Sequence, residues 1–314
     1  MTKKSTTKAT ETKTKNNKKA ENELSLIAPN SQVTITLKKD KVAQKYKAVL
    51  QTLAKKLSLP GFRKGNVPAK IAEENLGEEK VIQYVLDELI PEAYAETIKE
   101  TKKAPITRPE FSIVSVEKGK DWVLEAYFAE LPTVSVAKYE TFVKTGAKAG
   151  LKAIEQLKKD QQDKKEGAKE ITEDQAKEVK LQHIFKELVT GLKPKVPEML
   201  LKQETQHEFE HISDQLKQLN MSVDDYLKRR NMTIEDLSQD LAVSTLGKLQ
   251  LDLLLGAIAK DKKIAVTDQD KETYFAKIED KKLRDQLKAD KHYLGHLETN
   301  LLKQKVVDHL LTFA

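Results

Sequence analysis

Apolar and polar positions alternate at Val33-Thr34-Ile35-Thr36-Leu37, the period of a half-buried strand. From Asp40 the period lengthens. Val42, Tyr46, Val49, Leu50, Leu53 and Leu57 fall at helical spacing, with Asp40 placed to cap the helix and Leu59-Pro60-Gly61 to stop it. After Pro68, which suits a first turn, a short helix runs to about Leu76 and ends at Gly77. A longer helix follows, with Val81, Ile82, Val85, Leu86, Leu89, Tyr94 and Ile98 on one face. Pro105 and Pro109 interrupt the pattern. Residues 111–116 and 122–128 then read as strands, joined by a turn at Lys118-Gly119-Lys120-Asp121. Strand, helices and hairpin predict an α+β domain over 23–143.

Residues 144–180 change character: Lys, Gln, Asp and Glu dominate, with Gly146, Gly150 and Gly167 among them. The expectation there is a solvated helical or flexible connector. From 181 to 314 the pattern is almost wholly helical, which predicts an all-α domain. Its punctuation is Gly191-Leu192-Lys193-Pro194-Lys195-Val196-Pro197, the turns at Asn220 and Asn231, and Asp261-Lys262-Lys263; Thr267 and Asp268 are placed to cap a helix starting near Asp270. Residues 1–22 hold almost no apolar side chains, too few to offset the entropy of ordering them, so a disordered basic tail is expected.

Composition narrows the function classes. The chain has 314 residues and no cysteine, which excludes disulfides, thiolate metal sites and a cysteine nucleophile. No apolar run reaches the ~18 residues of a membrane span, and the charged N-terminus lacks the apolar stretch of a secretory signal, so a cytoplasmic protein away from membranes is expected. Glycine patterns that would cradle a nucleotide are absent, and no cofactor is expected. The net charge of +7 is unevenly spread. Residues 1–20 carry +6 and residues 41–72 carry +8 with no acid, which leaves the remainder at −7. A basic N-terminal part on a mildly acidic remainder points to a polyanionic partner for one end.

The loop Gly61-Phe62-Arg63-Lys64-Gly65-Asn66-Val67-Pro68 lies between two predicted helices in that basic stretch. Two glycines allow tight turns and the prolines at 60 and 68 stiffen its flanks. Loops between helices run over the surface, so an aromatic at the tip faces water unless it folds back onto the domain. Arg63 offers a planar fork and Lys64 a point charge, both suited to phosphate or carboxylate. By these residues alone, a recognition element for an RNA–protein surface and a merely solvated loop remain open.

Gly-Phe-Arg-Lys-Gly-x-Val-Pro resembles the ribosome-binding signature of the trigger factor family, bacterial chaperones of the peptide exit tunnel. The order of strand, long helix, signature loop, two helices and hairpin is similar as well. The resemblance implies that Phe62, Arg63 and Lys64 contact the large ribosomal subunit, protein and RNA, with Gly61, Gly65 and Pro68 shaping the loop. The position after the second glycine is often Lys in the family and is Asn66 here. Further on, Val196-Pro197-Glu198-Met199-Leu200-Leu201 with Glu204, Met221 to Tyr226, and the run from Leu249 to Ala259 resemble the family's C-terminal half. That implies a trigger-factor/SurA-like helical domain that holds unfolded nascent polypeptides without ATP, and leaves room for a weak homodimer. The family normally carries a prolyl-isomerase domain between the halves. Only about 40 residues lie there, against roughly 100 for a domain of that kind, and none is aromatic between Phe142 and Phe185. A holdase without isomerase activity is therefore expected.

Three other readings stand beside this one. The basic regions could serve a general RNA-binding protein. A periplasmic chaperone of related fold would need a signal peptide. His207-Glu208-Phe209-Glu210-His211 matches H-E-x-x-H, the zinc-peptidase pattern of two histidines one turn apart with a glutamate base. Its helix has an apolar face of Leu201, Phe209, Ile212, Leu216 and Leu219, which puts both histidines on the flank. They are read as solvated, like the His292/His296 pair, and no metal site is expected.

Overall fold

The computed structural model describes residues 26–60, 62–63, 67–163 and 171–314. The tail at 1–22 lies outside them. Two compact units divide the chain: residues 29–131 with 197–200, and the segments through 28, 132–196 and 201–314.

The first unit is a three-stranded antiparallel sheet with helices on one face. Strand β1 (Ile27–Ala28) precedes it in the chain. The sheet is built from β2 (Ser31–Leu37), β3 (Glu110–Ser115) and β4 (Trp122–Phe128) in the order β2-β4-β3. Alternation does what the sequence pattern predicts. Val33, Ile35 and Leu37 of β2 and Trp122, Leu124, Ala126 and Phe128 of β4 are all buried. Helices α1 (Lys39–Lys56), α2 (Ala69–Leu76) and α3 (Glu78–Thr101) cover that face with Val42, Val49, Leu50, Ala72, Val81, Val85 and Leu86. Asp40 does not cap α1, contrary to expectation. The N-cap is Lys38, which makes no side-chain cap bond, and Asp40 sits in the first turn. The free N–H of Lys39 is taken by Asp121 Oδ1 at 2.8 Å, a carboxylate from the distant β3–β4 turn.

The second unit is helical: α4 (Tyr139–Asp163), α5 (Glu173–Leu192), α6 (Glu198–Gln218), α7 (Val223–Arg230), α8 (Ile234–Asp261), α9 (Asp268–Phe275), α10 (Lys281–Ala289) and α11 (Lys291–Leu311). A short strand, β5 (Val196–Pro197), pairs with β1, and the Val196 N–H donates to the Leu26 carbonyl at 2.9 Å. The core joins α4, α5, α8 and α11 through Tyr139, Val143, Ile184, Leu188, Leu254, Ile258, Val306 and Leu310. Thr267 caps α9 as expected, in a box with Asp270.

The connector expected over 144–180 is, across its described residues, part of a packed helical hairpin. Gly146 and Gly150 are contact points. A Cβ on Gly146 would stand 2.5 Å from Ile184 Cα, and one on Gly150 2.8 Å from Lys180 Cα. Small residues let the two backbones approach, and the charged residues that suggested a linker occupy the outer face. The boundary between units accordingly falls at Pro132, before 143, because Tyr139 and Val143 belong to the helical core. Helix α8 is, by length and composition, long and apolar enough to cross a membrane, although no uninterrupted apolar run is. Here Leu254, Leu255, Ile258 and Ala259 of α8 are core residues, Lys248 pairs with Glu208 at 2.8 Å, and Asp252 pairs with Lys303 at 2.7 Å.

Candidate functional site

Two apolar anchors hold the loop between α1 and α2. On the α1 side, Leu57 closes the helix in an extended conformation and its N–H donates to the carbonyls of Leu53 and Ala54. Leu57 and Leu59 pack against the first unit's core, and the Phe62 N–H donates to the Leu59 carbonyl at 3.1 Å, a tight turn over Pro60. On the α2 side, Val67 is buried in the core at 6% exposure. Pro68 follows as the N-cap of α2, and its carbonyl accepts from Ala72 N–H at 2.9 Å.

Beyond Pro60, the described residues between these anchors are Phe62 and Arg63. Phe62 keeps 38% of its surface exposed and is not a member of the core, and Arg63 is exposed. Gly61, Lys64, Gly65 and Asn66 lie outside the described residues. Cations flank the tip on both helices: Lys55 and Lys56 close α1, and Lys70 stands in the first turn of α2. Among the described residues, Lys55, Lys56, Arg63 and Lys70 have no carboxylate partner; along α1, Lys45 is paired, with Glu88 at 2.9 Å. Lysines near a helix C-terminus also sit favourably with its dipole. An exposed ring beside a guanidinium and uncompensated ammonium groups can bury the ring on a partner and place cations on phosphate or carboxylate. Sequence reasoning missed how Val67 anchors the loop. Its signal was a lone apolar residue between Asn66 and Pro68.

The H-E-x-x-H pattern does not form a site. The His207 side chain is 69% exposed, and Glu208, the would-be base, is held by Lys248 Nζ at 2.8 Å, which keeps its carboxyl below the usual range. No cluster of three or more His, Asp or Glu suited to a metal occurs among the described residues. His292 and His296 stack edge to face, with centroids 4.6 Å apart.

Comparison with known proteins covers nearly the whole chain. The family model for the bacterial trigger factor protein matches residues 20–160, and that for the trigger factor C-terminus matches 153–312. The two overlap at 153–160 and leave no residues between them. Trigger factor of Lactiplantibacillus plantarum is 39% identical over 109 residues, 35% of this chain and 25% of that protein. Trigger factor of Staphylococcus epidermidis is 38% identical over 108 residues, 34% of this chain and 25% of that protein. The chain thus spans about a quarter of the length of the curated relatives it matches. A solved structure described as "Promiscuous Substrate Recognition in Folding and Assembly Activities of the Trigger Factor Chaperone" shares the fold, with a TM-score of 0.55 at 16% identity over 90% of this chain and 97% of that one. With one family model matching its N-terminal half and the other its C-terminal half, the chain belongs to the bacterial trigger factor family.

Proposed function

We propose that this protein is a cytoplasmic, ATP-independent chaperone. It docks on the large ribosomal subunit at the exit tunnel through the loop at 61–68 and holds nascent chains as they emerge. Phe62 is the apolar anchor, Arg63 and Lys64 bind ribosomal RNA or acidic side chains, and Gly61, Gly65 and Pro68 set the shape of the loop. The observation that carries this reading is the exposed Phe62 in a loop held by partly buried Leu57 and Leu59 on one side and buried Val67 on the other. Burying the exposed part of the ring on a partner would contribute apolar contact to docking. Exposed apolar residues along the helical unit, Leu219, Ile234, Val243 and Leu283, suit many weak, non-directional contacts with varied clients. The abutting family models favour a holdase without the isomerase domain.

A photo-crosslinker at position 62 tests the docking. Crosslinks to a large-subunit protein are expected in the presence of ribosomes, with few from the same group at the exposed Tyr84. Equal yields at both positions would remove the loop from the account.

Lys41, Lys47, Lys55 and Lys56 of α1, which have no carboxylate partner among the described residues, favour a second reading, binding to free RNA. It predicts a steep salt slope and no effect of Phe62→Ala.

A further inference from the structure

The loop at 61–68 joins two helices that are held unequally. Helix α1 has 18 residues and buries Val42, Val49, Leu50 and Ala54. Helix α2 has 8 residues, too few to be stable alone, and Ala72 is its one buried side chain. A pocket of about 300 Å³ opens between α1, Glu73 of α2, the start of α3 and the β3–β4 turn, walled by Val42, Tyr46, Leu50, Ile82 and Trp122. Side chains are not close-packed across that gap, so apolar contact there does not fix the spacing of the helices.

A polar bridge spans the gap. Glu73 Oε1 accepts from the Tyr46 hydroxyl of α1 at 2.7 Å and from Lys118 Nζ of the turn at 3.0 Å. Lys118 Nζ also stands 5.5 Å from the centroid of the Tyr46 ring. The two bonds, Tyr46's foremost, hold the Glu73 carboxyl below its usual range, so it stays an acceptor. The same turn holds the start of α1, where Asp121 Oδ1 takes the Lys39 N–H. The Lys118 side chain is 69% exposed, and wet ion pairs contribute little, so the half-buried Tyr46–Glu73 bond carries most of the hold. We propose that Glu73 is a positioning residue for ribosome docking: bound by Tyr46 and Lys118, it sets where α2, and with it the Val67–Pro68 end of the loop, stands relative to α1. The inference rests on docking through the loop at 61–68 and adds a residue that does not itself touch the ribosome.

Ribosome affinity is measured for the full chain and its variants by sedimentation over a concentration series. Glu73→Ala and Tyr46→Phe should each weaken binding about three- to tenfold, the worth of one net hydrogen bond. Adding Tyr46→Phe to Glu73→Ala should cost little more, because both remove the same bond. Glu73→Gln keeps an acceptor for Tyr46 and should retain most of the affinity. Glu130→Gln breaks a carboxylate network of the same unit that includes neither α1 nor α2, and should bind like wild type. A second readout needs no ribosome. The chain has no cysteine, so nitroxide labels on Gln51→Cys of α1 and Ala69→Cys of α2, both exposed, report the spacing of these helices alone. Their distance distribution should broaden in Glu73→Ala and Tyr46→Phe. An unchanged distribution would overturn the proposal. So would wild-type binding by Glu73→Ala, or equal losses from Glu73→Ala and Glu130→Gln, while Phe62→Ala still weakens docking: the loop then docks without the bridge. Wild-type binding by Phe62→Ala would instead remove docking through the loop, and this inference with it.

Discussion

Phe62 stays at the surface while Val67, five positions on, is buried, and this contrast separates function from stability within one loop. Val67→Ala removes methyl groups from the core and should cost about 1–3 kcal/mol in a denaturant melt. Phe62→Ala should change stability by no more than about 0.5 kcal/mol, since its ring is exposed and is not a member of the core. A large loss from Phe62→Ala would mean that the ring is structural. Glu130 makes a second prediction at this scale. Its carboxylate accepts from Ser31 Oγ at 2.6 Å, Lys103 Nζ at 2.9 Å and Ala104 N–H at 3.1 Å. These bonds, Ser31's foremost, lower its pKa from 4.5 to about 2. A depressed folded pKa stabilises above the unfolded value and loses that contribution as pH falls from about 4.5 towards 2. Glu130→Gln should therefore destabilise by about 1 kcal/mol at neutral pH, with the gap to wild type closing as pH drops through that window. A gap independent of pH would contradict the assigned bonds. The place of Phe62 in a helix-connecting loop left an exposed and a folded-back ring both open, and the structure leaves the ring 38% exposed. Asp121 as the acceptor for α1 was not legible, because the partner lies 82 positions away and Asp40 offered a nearer candidate.

The α4–α5 hairpin shows how element-scale packing hides in composition. Gly146 and Gly150 on α4, facing Ile184 and Lys180 of α5, bring two backbones within reach of each other. A linker and a close-packed face can share this composition of glycine, lysine and glutamine, and only the partner helix distinguishes them. Gly146→Ala must push against the Ile184 backbone, which cannot swing aside, and should destabilise by about 1–3 kcal/mol or more. Gly247→Ala, on α8 with open space where the Cβ would go, should stabilise by about 0.5–1 kcal/mol through helix propensity. Equal effects in thermal melts would refute the close approach. The strands and the apolar faces of α1 and α3 were readable because period and burial coincide there; α4 was not, because its buried stripe consists largely of small residues.

Taken as a molecule, the chain joins an α+β unit to a helical unit, and the trigger factor models that match them overlap at 153–160. The two matches leave no residues between them. In a protease-coupled assay of proline isomerisation, the rate should stay at the uncatalysed background, where the step takes tens of seconds at about 25 °C. Clear acceleration would show a catalytic site elsewhere in the fold. The central claim is docking through the loop at 61–68, and ribosome co-sedimentation tests it most directly. Wild type should pellet with ribosomes, and the Phe62→Ala, Arg63→Ala, Lys64→Ala triple variant should remain in the supernatant while melting like wild type. Equal pelleting of the two proteins would contradict the account.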